Sequence, residues 1–204
     1  MARIGGRNLW LAWPAGLFCA GVVAALVWLA IPAVPGTIAF VGDTLRAATS
    51  APEAAGARPV AEAALDTTAD IDCRDLYPGT LWLELAWSPQ SLLSQNRNAP
   101  ATEVTSLVDA LQPSVRVTCA WRETAGTISS TLSVVQTDAA PVADLALRGQ
   151  GFACVAYGSG VACTRISGAV VEEHVVRDGL WLASVERSWH PEDYGTRLAA
   201  FVWG

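Results

Sequence analysis

The segment from Leu9 to Ile31 constrains this chain most, because it is apolar throughout and contains no charged residue. A bilayer has a hydrocarbon core about 30 Å thick, which takes about 20 apolar helical residues to cross. Lipid offers no hydrogen-bond partner to the backbone, so a spanning segment of this kind is helical. Pro32 ends the helix, and tryptophans near both ends match the two membrane–water interfaces. The sequence therefore predicts a transmembrane helix over residues 9–31.

A cleaved signal peptide is the main alternative to an anchor. Its apolar core is shorter, about 7–15 residues, and a small-residue cleavage site follows it. The alanines after the apolar segment leave this alternative open. A lipoprotein signal centred on Cys19 fits poorly, because Phe18 stands where such signals have a small residue.

Residues around and within the predicted helix indicate its orientation and a packing surface. Arg3 and Arg7 precede it and four of the five cysteines follow it, which favours a cytoplasmic N-terminus (residues 1–8) and an oxidising exterior. Small residues recur at every fourth position and let two helices approach closely, so we predict a helix-packing face for a membrane-protein partner; chance in an alanine-rich chain is the alternative. This face consists of Ala12, Gly16, Ala20 and Ala24.

Composition divides the rest of the chain into a stalk and one folded domain. Residues 32–72 begin with a short apolar piece that suits the outer interface and continue with few large apolar residues, which is typical of a flexible stalk. About 30 flexible residues would reach a root-mean-square distance of about 30 Å. Residues 73–204 are long enough for a single core. The net charge of −6 and the lack of a basic run exclude a nucleic-acid footprint.

Alternating apolar residues predict most of the strands of this domain. Thr80–Trp87 alternates and predicts a first strand, and residues 88–100 read as a loop with a short helical turn at Leu92–Leu93. Turn residues between alternating runs then predict hairpins. The three hairpins join Ser114–Arg122 to Thr127–Gln136, Gly151–Tyr157 to Gly160–Ser167, and Gly168–Val176 to Gly179–Arg187.

Helical periodicity predicts three helices in the domain. The first is capped by Thr102 and ends before Pro113. The second covers Ala139–Arg148, with Val142, Leu145 and Ala146 on its buried side. The last begins at Pro191, with an apolar stripe formed by Tyr194, Leu198, Phe201 and Val202. Together these elements predict an α+β fold, a mainly antiparallel sheet with helices packed on one face.

The cysteines after the stalk predict two disulfides. A two-residue turn at Gly158-Ser159, of type II′, places Cys154 opposite Cys163 in a non-hydrogen-bonded pair, where the Cα atoms approach to about 4.5–5.5 Å. Cys73 and Cys119 are then left to each other. No metal site is predicted, because no Cys-x-x-Cys or Cys/His cluster is present. Cys19 is expected to be a free thiol in the membrane.

Catalytic residues are not indicated. His174 follows two glutamates on a strand and His190 precedes a helix start, so either can pair with a carboxylate for acid–base chemistry. The acids also suit a solvated strand and a helix N-terminus. No nucleophile elbow, phosphate loop or metal-ligand spacing accompanies them, and no cofactor is expected.

Binding is the better-supported alternative, because six tryptophans follow the stalk. Aromatic planes stack on sugars or anchor a protein partner, although most tryptophans of a small domain fill its core. The candidate binding residues are Trp82, Trp181 and Trp189.

In outline, the anchor, the stalk, Cys119-Ala-Trp121, Gly151-Phe-Ala-Cys154 and Cys163 resemble the disulfide-bonded outer domains of actinobacterial envelope proteins. The resemblance covers about residues 73–204 and transfers no functional residue. Taken together, the apolar segment, the flanking arginines and the cysteines predict a single-pass, N-in/C-out membrane protein whose outer domain is non-catalytic and binds an envelope ligand or the cell wall, or serves as a subunit of a membrane complex. The alternative is an anchored hydrolase acting on envelope material.

Overall fold

The computed structural model describes residues 59–204 and the isolated position Val22. The predicted cytoplasmic N-terminus, the predicted membrane helix apart from Val22, its small-residue face and residues 32–58 of the predicted stalk therefore lie outside the described residues. Among the residues described, no helix is long and apolar enough to cross a membrane.

Residues 59–204 form six helices and seven strands. The helices are α1 (Val60–Leu65), α2 (Cys73–Leu76), α3 (Gly79–Ala86), α4 (Thr105–Leu111), α5 (Ala139–Gly149) and α6 (Tyr194–Trp203). The strands are β1 (Leu92–Asn96), β2 (Ser114–Arg122), β3 (Thr127–Val134), β4 (Ala153–Tyr157), β5 (Gly160–Ser167), β6 (Val170–Arg177) and β7 (Leu180–Arg187).

All seven strands join one antiparallel sheet in the order β1-β2-β3-β7-β6-β5-β4. The three predicted hairpins and the α+β class are confirmed. The turns explain why the hairpins form where they do. Gly158 has φ of +57°, as the first position of a type II′ turn requires, and Asp178 and Gly179 both have positive φ, as in a type I′ turn. The β3–β7 pairing joins the two halves of the sheet.

Helices cover both faces of the sheet, so the prediction that they pack on one face is wrong. Alternate residues of β7 belong to different cores, Leu180 and Leu182 to one, Trp181 and Ala183 to the other. Because β7 is buried at seven of its eight positions, both of its sides need a covering layer. We call the side covered by α1, α2, α3 and α6 the Cys119 face, and the side covered by α4 and α5 the Cys163 face.

Both predicted disulfides are confirmed, and each lies on a different face. Cys154 and Cys163 are paired across the β4–β5 hairpin with Cα atoms 4.0 Å apart. Cys73 at the start of α2 is bonded to Cys119 of β2, with Cα atoms 5.7 Å apart. The first bond therefore joins two strands of the sheet, and the second joins helix α2 to the sheet that it covers.

Two predictions in the first third of the domain are wrong. Thr80–Trp87 is mostly helix α3 instead of a strand. The leucines that suggest alternation are also four residues apart, and Leu81 and Leu85 are both fully buried on one side of the helix. Residues 92–96, predicted as loop or helical turn, form strand β1, which pairs with β2 at one edge of the sheet formed by the described residues.

The boundaries and buried sides of three helical regions also differ from prediction. Residues 59–72 belong to the folded domain, because Ala64 and Ile71 lie in the core of the Cys119 face. Helix α5 is confirmed, but Val142 and Leu145 are exposed, and Ala146 is only half-buried. Ala139, Ala143 and Leu147 face the sheet instead, because small alanines let the helix lie close to it. Phe201 of α6 is exposed as well, whereas Tyr194, Leu198 and Val202 are buried as predicted.

Candidate functional site

Each face of the sheet contains one histidine paired with a glutamate. On the Cys163 face, His174 Nε2 lies 3.0 Å from Glu172 Oε1, two residues earlier on β6. Trp181 of β7 donates its indole N–H to His174 Nδ1 at 3.2 Å. An indole nitrogen is only a donor, so Nδ1 must accept and Nε2 must carry the ring proton. The histidine therefore donates to Glu172 and is held from both sides.

Glu172 receives further hydrogen bonds from the segment before α4. The Thr102 hydroxyl donates to the carboxylate, and the Glu103 amide does so at 3.3 Å. The Arg165 guanidinium lies 2.9 Å from Glu172 and also 2.9 Å from the Glu103 carboxylate. Burial alone would raise the pKa of Glu172, but hydrogen bonds from His174, Thr102 and Arg165 outweigh it and hold the pKa at about 2. The carboxylate stays ionised in a nearly dry environment.

This cluster is enclosed by protein. The side chain of His174 is fully buried and that of Glu172 is 1% exposed. Phe152 packs against the histidine ring, and the Arg165 guanidinium lies 4.5 Å from the centre of the Phe152 ring. Thr102, predicted to cap a helix, instead ties the segment before α4 to the sheet, and α4 begins at Thr105. The arrangement joins α4 to β6 and offers no substrate a path to the imidazole.

On the Cys119 face, His190 and Glu186 form the second pair. His190 Nδ1 lies 3.2 Å from Glu186 Oε2, and their side chains are 38% and 5% exposed. Burial raises the pKa of Glu186 to about 8, and the nearby charge of Glu173 contributes in the same direction. At neutral pH this carboxyl keeps its proton, which it can donate to Nδ1. A titrating carboxyl beside a half-exposed histidine is the arrangement in this domain most similar to an acid–base site.

Glu173 of β6 lies next to this pair and fixes the start of α6. Its carboxylate accepts the Gly195 amide and a hydrogen bond from Thr164. A Cβ at Gly195 would lie only 1.6 Å from Glu173 Oε2, so this close approach requires glycine. Burial raises the pKa of Glu173 despite these hydrogen bonds, and Asp193 adds to the effect. Acidic side chains suit a helix N-terminus, which explains why this partly buried glutamate lies there.

A chain of buried hydroxyls continues from this point through the Cys119 face. Tyr77 and Tyr194 are 3.0 Å apart at their hydroxyl oxygens, and Ser130 lies 2.7 Å from Tyr194 and 3.0 Å from Ser184. Burial raises the pKa of both tyrosines, so they remain neutral donors and acceptors. Sequence reasoning missed this network; the one signal for it was Ser130, which lies on the same side of β3 as the apolar residues Ile128 and Leu132.

The predicted binding tryptophans are placed differently from one another. Trp181 is fully buried and bonded to His174, so its assignment to a binding surface is corrected. Trp82 is half-buried against Trp121, with the Arg74 guanidinium 5.1 Å from its ring centre. Trp189 is also partly buried against the core of the Cys119 face. Neither of these two half-buried rings is free on both sides.

The most exposed tryptophan of the described residues is Trp87, the last residue of the segment that was predicted as the first strand. It is 82% exposed directly after α3, and Leu83, one turn earlier, is 50% exposed. Ala86 is exposed between them. We call Leu83, Ala86 and Trp87 the α3 stripe, since residues three and four apart share one side of a helix.

Two surface grooves lie away from both histidine pairs. The larger has a volume of about 660 Å³ between the end of β1 and α4, and the smaller has about 180 Å³; Arg97 lines both. Asp144 lies within 4.8 Å of the sulfurs of Cys154 and Cys163, but those sulfurs are joined in a disulfide and offer no thiolate to a metal.

Comparisons of this chain with protein-family models, with curated proteins and with solved structures found no match.

Proposed function

We propose that this chain is a single-pass membrane protein that presents a non-catalytic interaction domain outside the cytoplasm. The observation that carries the proposal is the pairing of all four cysteines after the apolar segment in two disulfides. Disulfides persist in oxidising compartments and are rare in the cytosol. The uncharged segment from Leu9 to Ile31 supplies the means of anchoring.

Two features of the domain support an interaction role over a catalytic one. His174 and Glu172 are enclosed, and they support the fold by joining α4 to β6. The exposed α3 stripe, by contrast, places a tryptophan and a leucine on the surface without a partner in the domain. Large apolar side chains at such positions serve as anchors in interfaces.

Topology is tested with full-length protein carrying an N-terminal tag or a C-terminal tag. Protease added to sealed cells should remove the C-terminal tag and leave the N-terminal tag intact until the cells are opened. A C-terminal tag that survives while a known surface domain is digested would contradict the proposal.

The small-residue face gives the proposed anchor a second role in a membrane complex. Gly16→Leu combined with Ala20→Leu should abolish co-purification of a membrane partner from mild detergent, because bulky side chains prevent close helix approach. Val22→Leu, on the opposite side of a helix, serves as the matched control. Equal recovery of the partner with both proteins would contradict this role.

An anchored hydrolase is the second candidate, and one observation favours it, the half-exposed His190 beside the protonated Glu186. Such a pair can exchange a proton with a substrate at neutral pH. Membranes containing the wild-type chain should then release products from isolated cell envelope, and Glu186→Gln and His190→Phe should each stop the release. Equal release by wild type and both variants excludes this candidate.

A further inference from the structure

The chain enters the folded domain on the same side as the α3 stripe. Helix α1, the first described element, contacts α6 and strands β3 and β7, and its Ala64 is buried in the core of the Cys119 face. Helix α3 covers the same core with Leu81 and Leu85. The polypeptide that leads back toward the apolar segment therefore joins the domain on the Cys119 face.

The chemistry of the α3 stripe is apolar and locally neutral. Glu84 is the acidic residue within α3, and its carboxylate is 2.7 Å from the Arg197 guanidinium. Thr80 precedes the stripe on the exposed side, and Pro89 and Gln90 follow it. Tryptophan is enriched where membrane proteins meet the headgroup layer, because one end of the ring system is apolar and the other carries an N–H donor.

The net charge of the domain indicates whether electrostatic attraction or burial of apolar surface would drive a contact with lipid. Residues 59–204 contain 9 arginines and no lysine, against 17 acidic residues, so the domain carries a net charge of −8. An acidic domain is not drawn to anionic lipid by long-range electrostatics. A contact through leucine and tryptophan does not need that attraction and is driven by burial of apolar surface.

We propose that the α3 stripe docks on the lipid surface of the membrane that holds the anchor, with Trp87 at the headgroup level. This inference rests on the proposed function, since it needs the predicted anchor in the same bilayer. The part of the predicted stalk that precedes the folded domain, residues 32–58, would hold the domain at a root-mean-square distance of about 30 Å from that surface, so docking is an intramolecular event at high effective concentration. The exposed Val142 and Leu145 of α5 lie on the Cys163 face, opposite the point of chain entry, and they do not take part.

The experiment uses the full chain with Cys19→Ser, reconstituted as one copy per phosphatidylcholine nanodisc. A nitroxide is attached to Ala86→Cys in the stripe or, as the matched control, to Leu145→Cys on α5. The measurement compares how often the nitroxide collides with lipid-soluble oxygen and with a water-soluble nickel chelate. We expect the label at residue 86 to collide mainly with oxygen and the label at residue 145 to collide mainly with the chelate. Adding Leu83→Ser and Trp87→Ser should lower the ratio of membrane-docked to free domain about tenfold or more, since it removes both large apolar side chains that docking buries. Trp87→Phe should restore most of it.

Three outcomes overturn the docking. In the first, the label at residue 86 collides mainly with the chelate and is therefore in water. In the second, the label still favours oxygen after both serine substitutions. In the third, the label is shielded from both reagents, which would indicate that a protein covers the stripe. Failure of the proposed anchor is separate, because the chain would then not be retained in the nanodiscs at all. Added salt tests whether electrostatic attraction to the headgroups contributes. It should leave the ratio of docked to free domain unchanged.

Discussion

The two histidine–glutamate pairs contain the same residue types, but the pKa of the glutamate is shifted in opposite directions. Glu172 accepts hydrogen bonds from an imidazole, a hydroxyl, an amide and a guanidinium, and its pKa is held at about 2. Glu186 is hydrogen-bonded to His190 and lies near the acidic Glu173, and its pKa is raised to about 8. Burial is the largest single influence on both groups and acts in the same direction. The difference therefore comes from the donors that surround each carboxyl.

The number of hydrogen-bond donors also decides how each glutamate behaves when the pH changes. Four donors converge on Glu172 from β5, β6 and the segment before α4, so its charge contributes to holding these elements together. Glu186 is hydrogen-bonded to one side chain, that of His190, which is in contact with solvent. We therefore expect the Cys163 face to be stable toward neutral and alkaline pH, and the Cys119 face to change its protonation near physiological pH.

The largest effect is expected from removal of the Glu172 carboxylate. Glu172→Leu leaves Arg165, His174 and Thr102 without their acceptor and should lower the free energy of unfolding by about 3–5 kcal/mol. The folded pKa is below the usual value of 4.5, so the stabilisation is complete above about pH 4.5 and is lost as pH falls toward 2. Urea unfolding as a function of pH measures both effects. An acid dependence in Glu172→Gln equal to that of the wild type would contradict this assignment.

Loss of the disulfides should affect the two faces unequally. The Cys73–Cys119 bond separates its cysteines by 46 residues and the Cys154–Cys163 bond by 9. In the chain-entropy model the longer loop contributes about 4 kcal/mol and the shorter about 2.7 kcal/mol. Paired cysteine-to-serine variants, compared by urea unfolding, test this order. A larger loss from the hairpin bond would show that native-state packing and not loop length decides the contribution.

Glu186 should respond to pH in the direction opposite to Glu172. Its folded pKa is raised above 4.5, so its favourable contribution is complete below about pH 4.5 and is lost as pH rises through 8. Glu186→Gln keeps the shape without the charge and should be more stable than the wild type at pH 9 by at least about 2 kcal/mol, with little difference at pH 4. Parallel stability curves for the two proteins between pH 4 and pH 9 would rule out the raised pKa.

The smallest effect is expected at Gly195. Gly195→Ala places a methyl group against the Glu173 carboxylate and breaks its hydrogen bond to the start of α6, at a cost of about 1–2 kcal/mol. Gly149→Ala, whose Cβ would meet no atom within 4 Å, is the matched control and should be neutral or slightly stabilising. Equal stability of both variants would mean that the carboxylate moves aside without cost.

Local chemistry explains which parts of the fold were predictable. The hairpins follow from turn residues with a known backbone requirement, such as Gly158 and Asp178-Gly179, and the pairing of Cys154 with Cys163 follows from the turn by counting. Helix α3 was mistaken for a strand because leucines at alternate positions also recur every fourth residue. Edge strand β1 has a polar sequence, and its strand conformation depends on its partner β2, which a local pattern does not contain.

The candidate site was less predictable because it depends on packing between distant elements. The residue types of both histidine pairs are visible in the sequence, but their burial differs, since Glu172 and His174 lie under α5 and α4 whereas His190 lies at the rim. The exposure of Trp87 was missed as a consequence of the error over α3. The hydroxyl network from Tyr77 to Ser184 joins residues more than 100 positions apart, a distance over which sequence periodicity carries no signal.

The most direct test of the central claim is a count of free thiols on full-length protein extracted from membranes. Alkylation under denaturing conditions without reductant, followed by mass spectrometry, identifies each unpaired cysteine. Of the five cysteines, the account predicts that Cys19 alone is alkylated, with Cys73 linked to Cys119 and Cys154 linked to Cys163. Alkylation of all five cysteines in the native protein would contradict an oxidising location for the domain.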